Sequence, residues 1–259
     1  MKGSDLVVIP TYNEIGTVAD MIHCVMSLPS RFDVLIVDDQ SPDQTAERVM
    51  DLQELYPGRV FLKQRPQKKG IGLAYLDGFD YALSSGYDCI YEMDCDFSHN
   101  PAELEVMKGR LDSGDVDLVI GSRYCVGGGV SNWSEGRVIL SKAASLYSRF
   151  WTQTCIADPT SGFVGYTART LAYLVQKNDV GRYVNNVDWF QGYCFQIAMK
   201  FFASRAGFTL EEIPITFQER GSGRSKMSRW IVVEAVLKVP CLRWIAHRLE
   251  KLSGVDGSG

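Results

Sequence analysis

Histidine is almost missing from this chain. Three occur in 259 residues, at positions 23, 99 and 247, too few and too scattered for a histidine-rich metal centre. Seven cysteines form an odd set without a C-x-x-C pair, which suits reduced thiols better than a disulfide framework or a zinc site. No apolar run approaches the roughly 20 residues that a membrane-spanning helix needs. Positive charge is not in surplus either: 27 Lys and Arg against 31 Asp and Glu leave a formal charge of −4. That balance gives no electrostatic case for a nucleic-acid binder. No signal peptide is expected, since Met1-Lys2-Gly3-Ser4-Asp5 leads directly into the first strand-like run, and the reduced-thiol pattern suits the cytoplasm. Internal repeats are absent.

What is present is a rhythm. An apolar fraction of 46% is ample for a packed core, and the length fits one large α/β domain or two small ones. Short apolar runs at Leu6–Ile9, Phe32–Val37, Val60–Leu62, the stretch ending at Asp94, and Val116–Ile120 read as buried strands. Helical patterns fall between them, over about Thr17–Met26, from Ser41-Pro42 onward, over Leu73–Leu83 and over Pro101–Leu111. Strands alternating with crossover helices predict a mostly parallel sheet covered by helices on both faces. Further helices are expected over Ile139–Trp151 and twice within 168–206, the second at Gly192–Ser204, with a strand over Leu210–Phe217.

Ligands of such sheets bind outside the carboxyl ends of the strands. Glu14, Asp39, Lys68, Asp94, Asp96 and Arg123 each follow a predicted strand, and that shared placement says more than any one of them. Asp94 and Asp96 are separated by one residue, so in an extended segment both side chains point the same way. Two hard oxygen ligands suit Mg²⁺ or Mn²⁺, although a D-x-D triplet also arises as solvated loop charge or a helix cap. Val126-Gly127-Gly128-Gly129-Val130 reads either as a surface loop or as a mobile flap. Arg229–Leu252 mixes apolar and basic residues around Pro240. It either packs on the core or lies on an anionic membrane surface, and the basic excess favours the membrane.

Together these segments resemble the family 2 glycosyltransferases of the GT-A fold, in the branch of dolichol-phosphate and polyprenol-phosphate mannose synthases. The resemblance is carried by Ile9-Pro10-Thr11-Tyr12-Asn13-Glu14, Val37-Asp38-Asp39-Gln40-Ser41-Pro42-Asp43 and Arg65-Pro66-Gln67-Lys68-Lys69-Gly70-Ile71-Gly72. It continues through Met93-Asp94-Cys95-Asp96-Phe97-Ser98-His99-Asn100-Pro101, Gly121-Ser122-Arg123-Tyr124, Asp158–Phe163, Ile213–Phe217, Arg220 and Ser225-Lys226-Met227-Ser228. The implied fold is a Rossmann-like GT-A domain over residues 1–228, then an amphipathic helical segment at 229–252 and a disordered tail at 253–259.

The resemblance implies an inverting transfer of mannose from GDP-mannose to a polyprenyl phosphate, assisted by Mg²⁺ or Mn²⁺, on the cytoplasmic face of a membrane. Pro10, Tyr12 and Glu14 would line the nucleoside pocket, with Asp39 on base or ribose and Lys68 on the nucleotide or diphosphate. Asp94 and Asp96 would hold metal and diphosphate, with Ser98 as a third ligand. Arg123, Arg220 and Lys226, joined by Arg137, are the candidates for the acceptor phosphate and the departing diphosphate, since arginine grips phosphate oxygens bidentately. The structural alternatives are a helix-terminal charge for Glu14, a turn or cap for Asp39, and salt bridges for the basic residues. The chain departs from the branch at Gln67, Lys69, Ser98 and Ala198, and Ala198 stands where many relatives carry an acidic residue. Asp158 is the nearest remaining carboxylate base, or else a cap of its own turn. The lipid would be met through 229–252, the 126–137 flap, or a separate membrane subunit. Rival readings are a family 2 enzyme with another nucleotide-sugar or a sugar or peptide hydroxyl acceptor, and a non-catalytic nucleotide-sugar-binding subunit.

Overall fold

The computed structural model describes residues 4–175, 194–219 and 229–252, the side chains of 229–235 and 249–252 excepted. Strand β1 (Asp5–Thr11) leads through α1 (Val18–Met26) to β2 (Phe32–Asp38), and α2 (Thr45–Leu55) leads on to β3 (Val60–Gln64). Helix α3 (Ile71–Ser84) then crosses back to β4 (Cys89–Glu92), followed by α4 (Glu103–Asp112) and β5 (Leu118–Ser122). After β6 (Gly129–Ser131) come α5 (Glu135–Thr152), β7 (Val164–Thr167) and α6 (Ala168–Val175). The described chain ends with α7 (Cys194–Arg205), β8 (Leu210–Pro214), β9 (Thr216–Gln218) and α8 (Arg229–Leu252).

Seven strands form one sheet in the order β3-β2-β1-β4-β7-β5-β8. The chain winds outward from β1 to β3, then returns to place β4 on the other side of β1. Reversal there makes the carboxyl ends of β1 and β4 the switch point where an open α/β sheet forms its crevice. Alternate residues of one strand feed opposite faces. Leu6 and Val8 join Leu35 and Val37 under α3, α6, α7 and α8, whereas Val7 and Ile9 join Val34 and Ile36 under α1, α2 and α4. Burial on both sides is why these strands read as continuous apolar runs rather than alternating ones.

Several expectations change. The sheet is mostly parallel as expected, yet β7 lies antiparallel between β4 and β5. The helix read from Ser41-Pro42 begins only at Thr45. Ser41 and Asp43 are used as stitches instead: Ser41 Oγ accepts Asn13 N–H at 3.0 Å and Asp43 Oδ2 accepts Ile15 N–H at 3.0 Å. The strand over Leu210–Phe217 breaks after Pro214, which has no N–H for a ladder and sits on edge strand β8. Of the glycine stretch, Val126 and Gly127 lie in a turn, and Gly129 and Val130 enter a short strand. Its β6 pairs in parallel with β9, and Ile215 fastens the two sheets, donating to Ser122 O at 3.1 Å and accepting from Gly129 N–H at 2.9 Å. Helix α8 runs unbroken through Pro240 and packs Val239, Leu242, Ile245 and Ala246 into the core.

Gly128 makes that junction possible: a Cβ there would run into the Ser122 carbonyl oxygen and come within 2.9 Å of the Arg123 carbonyl carbon. Backbone cannot step aside as a side-chain tip can. Gly128→Ala is therefore expected to lose about 1–3 kcal/mol in a urea titration, the range for overpacking. A midpoint within error of wild type would contradict this account.

Candidate active site

Three side chains that are distant in sequence meet beyond β1 and β2. The Lys68 ammonium stands 3.5 Å above the Tyr12 ring, a cation–π contact. Lys68 also acts electrostatically on Asp39. The Asp39 carboxylate is itself gripped by Arg65 Nη1 at 2.5 Å, and Arg65 Nε reaches Asp77 at 2.7 Å. Burial raises the Asp39 carboxyl from its ordinary value, and the Arg65 guanidinium opposes that rise. The sequence gives Arg65 a place in the motif around Lys68 but no role of its own. Pro10, next to last in β1, lies in register with Val37. Glu14 stands just ahead of α1, where its carbonyl accepts Val18 N–H at 2.9 Å and its carboxylate accepts the Thr17 hydroxyl at 3.1 Å.

Strand β4 stops at Glu92, so Cys95 and Asp96 lie in a turn rather than on an extended continuation. The alternation expected of an extended segment therefore does not apply to this turn. Cys95 is buried, and Asp94 and Asp96 on either side of it are both partly exposed. Tyr75 donates to Asp94 Oδ1 at 3.4 Å; burial and then the Asp94 charge push its phenol well above the ordinary range, so it stays a donor. Ser98 is fully buried and gives both its N–H (3.0 Å) and its hydroxyl to Asp96 Oδ1. Ser98 thus orients a carboxylate. Non-glycine residues with left-handed backbone follow the adjacent strands β2, β1 and β4: Gln40 (φ 55°), Asn13 (φ 59°) and Phe97 (φ 58°). Such conformations are sparsely populated and gather at functional edges.

The donor set Asp94 and Asp96 consists of hard oxygens and fits a Mg²⁺- or Mn²⁺-type ion. Among the described residues, another group of potential ligands, Asp5, Cys89 and Asp112, lies at the opposite, amino edge of the sheet. Lys108 already answers both of its carboxylates at 3.0 Å. That group is an ion-pair cluster remote from the crevice.

Arg123 follows β5 and is held by Asp158 in a bidentate pair, Nε–Oδ2 and Nη2–Oδ1 both 2.7 Å. Its backbone N–H donates to the same carboxylate at 3.1 Å. Burial would raise the Asp158 carboxyl, yet bonding and charge from Arg123 outweigh it and bring the group below its ordinary value. Arg137 pairs with Glu219 at 2.7 Å. Both guanidinium carbons lie over the Trp133 ring, Arg137 at 4.1 Å and Arg123 at 5.7 Å from its centre, so β5 and α5 bring these two arginines to one indole. Arg220 and Lys226 lie outside the described residues.

One group of polar residues went unnoticed in the sequence. Glu92 and Lys200 are both fully buried. Glu92 accepts the Tyr166 hydroxyl at 2.8 Å and the Gln196 amide. Lys200 Nζ donates to Gln196 Oε1 at 3.1 Å and to Ser161 O at 2.7 Å. Desolvation pushes the Glu92 carboxyl up to about 7 and the Lys200 ammonium down to about 8. The spacing of Gln196 and Lys200, four residues apart in a stretch otherwise apolar from Cys194 to Ala203, was the available signal.

The glycosyl transferase family 2 model matches residues 6–173. A polyprenol monophosphomannose synthase of Mycolicibacterium smegmatis is 43% identical over 251 residues, covering 96% of this chain and 90% of the relative. An undecaprenyl-phosphate mannosyltransferase of Micrococcus luteus is 40% identical over 248 residues, covering 95% and 96%. Among solved structures, the glucosyl-3-phosphoglycerate synthase of Mycobacterium tuberculosis, crystallised with Mn²⁺, UDP and glucosyl-3-phosphoglycerate, superposes with a TM-score of 0.61. Identity there is 16%, over 98% of this chain and 81% of that one, a likeness of fold.

Removing one partner from a buried ion pair strands the other. Asp158→Asn is expected to destabilise the fold by about 3–5 kcal/mol near neutral pH. Because the folded carboxyl lies below its ordinary 3.8, the contribution is present above that value and fades as the pH falls through the folded pKa. Urea titrations at pH 7 and pH 3 should therefore show the gap to wild type narrowing in acid. Lys200→Met, which leaves Glu92 buried without its cation, should cost a similar amount at pH 8, and Glu92→Gln/Lys200→Met much less. Equal losses for single and double variants would refute the coupling.

Proposed function

The chain belongs to glycosyl transferase family 2 and is a glycosyltransferase, and on that premise we propose that it moves mannose from GDP-mannose to the phosphate of a polyprenol, with inversion. The observation that carries this reading is near full-length similarity, at 43% and 40% identity, to two mannosyltransferases named for polyprenyl acceptors. The site chemistry supports it. Tyr12, Asp39 and Lys68 supply a ring, a carboxylate and a cation for the nucleoside end of the donor, beside Pro10 and Glu14. Asp94 and Asp96 would hold a Mg²⁺ or Mn²⁺ ion, which when bound neutralises charge gathering on the departing diphosphate.

A phosphate monoester is already anionic near pH 7, so its oxygen attacks the anomeric carbon without first losing a proton. What the protein must supply is charge compensation for two converging anions and alignment of the reacting atoms. Arg123 and Arg137, stacked at Trp133, fit that task, and Arg220 and Lys226 are proposed to join them. Asp158 is a poor general base, since Arg123 holds it ionised and occupied. That favours a phosphate over a hydroxyl acceptor. The enzyme is proposed to act from the cytoplasmic face. Among the described residues no helix is long and apolar enough to cross a membrane, and α8 turns the exposed side chains of Leu237 and Trp244 outward beside Arg243 and Arg248. A separate membrane subunit would serve the same end.

Incubation with GDP-, UDP- and dTDP-sugars, Mg²⁺ and a short polyprenyl phosphate, read by mass spectrometry, should yield a mannosyl lipid from GDP-mannose alone. No lipid product from any donor would count heavily against the proposal. Asp96→Ala should abolish turnover across the pH range while the chain stays folded by circular dichroism, and substantial residual turnover would remove Asp96 from the site.

A further inference from the structure

Arg65 and Asp39 are both buried at the carboxyl edge of the sheet, just after β3 and β2. Backbone fixes their spacing: Asp39 N–H donates to Thr11 O at 3.0 Å and Arg65 N–H to Asp38 O at 2.8 Å. The ends of β1, β2 and β3 are thereby tied in succession. The guanidinium then divides its fork between two carboxylates. Nη1 reaches Asp39 Oδ1 at 2.5 Å, and Nε reaches Asp77 Oδ2 at 2.7 Å. Asp77 stands on α3, where Lys63 Nζ donates to its carbonyl at 2.9 Å.

Arg123 shows the other way to hold a carboxylate. Its nitrogens take both oxygens of Asp158, which leaves that group little to offer a ligand. Arg65 engages Asp39 through one oxygen only. The second, Oδ2, makes no hydrogen bond among the described residues, yet it is not sealed from solvent. A buried carboxylate thus opens one oxygen outward, near Lys68 and the Tyr12 ring beneath it. An aromatic face beside a fixed carboxylate oxygen suits a nucleobase, which offers a flat face and a polar edge.

We propose that Arg65 is a positioning residue for the donor nucleotide: anchored on Asp77, it clamps one oxygen of Asp39 and leaves the other as a fixed acceptor for a ring N–H of the base. The inference rests on the reading of Asp39 as a nucleoside ligand and adds the chemistry that it selects. Guanine and uracil carry a ring N–H on the pairing edge. Adenine and cytosine carry a bare ring nitrogen there, which would meet the carboxylate lone pair to lone pair. Asp39 plays this part only when ionised. Burial raises its carboxyl, Arg65 opposes the rise, and Asp38 and Lys68 act more weakly, the first raising and the second lowering it. Without the guanidinium, a proton would bind Asp39 at higher pH and turn the acceptor into a donor.

The test is calorimetric titration of the full chain with GDP, ADP, UDP and CDP, with Mg²⁺ and no lipid acceptor, at pH 6 and pH 8. Of the purine and pyrimidine pairs, the one that binds more tightly should show the N–H base ahead by at least about tenfold at both pH values. In Arg65→Gln that preference should shrink to about threefold at pH 8 and vanish at pH 6. Arg65→Lys, which keeps the charge, should remove the pH dependence again. Asp77→Asn, at the half-exposed anchor, should cut the preference by about threefold with the fold intact by circular dichroism. A loss shared equally by all four nucleotides at both pH values would mark Arg65 as merely structural and overturn the inference. So would an unchanged preference in Arg65→Gln, or in Asp77→Asn should Arg65→Gln not fold. A preference that survives Asp39→Asn would overturn the reading of Asp39 and this inference with it. Because no transfer is read, a failed donor screen with polyprenyl phosphate would overturn the mannosyl reading alone.

Discussion

A fully buried carboxylate and a fully buried ammonium are the constraint around which the functional half of this fold is arranged. Glu92 closes β4 immediately before the Asp94 turn, and Lys200 sits mid-helix on α7. Neither ion is tolerable in an apolar interior unless partnered and hydrogen-bonded. Partnering them requires Gln196 and Tyr166 at one end and the Ser161 carbonyl at the other. That carbonyl belongs to the turn whose Asp158 grips Arg123, while Glu212 of β8 caps the same turn through the N–H groups of Ala157 (2.7 Å) and Asp158 (2.9 Å). The metal-type carboxylates after β4 and the arginine after β5 are thus registered through one polar chain rather than by loop contacts alone.

The two sides of the crevice are built on different principles. After β1 and β2 the loops are stitched by short side chains: Ser41 and Asp43 hold the Asn13–Ile15 backbone, and Asp38 holds Thr11 at 2.9 Å. After β5 the fixing is done by charge, with Arg123 on Asp158 and Arg137 on Glu219. Stitched backbone suits a nucleotide, whose ring and ribose demand shape. Charged side chains over an aromatic floor suit a phosphate, which demands neutralisation. Left-handed residues in three adjacent loops mark the cost of aiming them all at one crevice.

Much of this was legible in the residues. The parallel sheet, most of its strands and the placement of Asp39, Lys68, Asp94 and Asp96 after strands followed from apolar runs punctuated by polar loops, because strand burial and loop chemistry are local matters; Tyr12 came only from the family resemblance. The antiparallel β7 was not legible, since a four-residue apolar strand looks the same in either direction and only its neighbours decide. Nor was the Arg123–Asp158 pair, whose members lie 35 residues apart and meet because β7 carries the 158–163 turn to the end of β5. Lys200 was hidden by its apolar surroundings, where a lone basic residue gives no hint of a partner on a strand 108 residues earlier.

The sequence by itself determined the layered α/β architecture, the family and the residue types available to a nucleotide, a divalent ion and a phosphate, because each is written in local pattern. Tertiary structure alone decided which charges are spent on one another and which face an opening. Arg123 is bound to Asp158, Asp5 and Asp112 are answered by Lys108, and Arg65 holds one oxygen of Asp39 while the other reaches solvent. Charge pairing depends on distance in space, and a sequence does not state distances between strands until the sheet has been assembled.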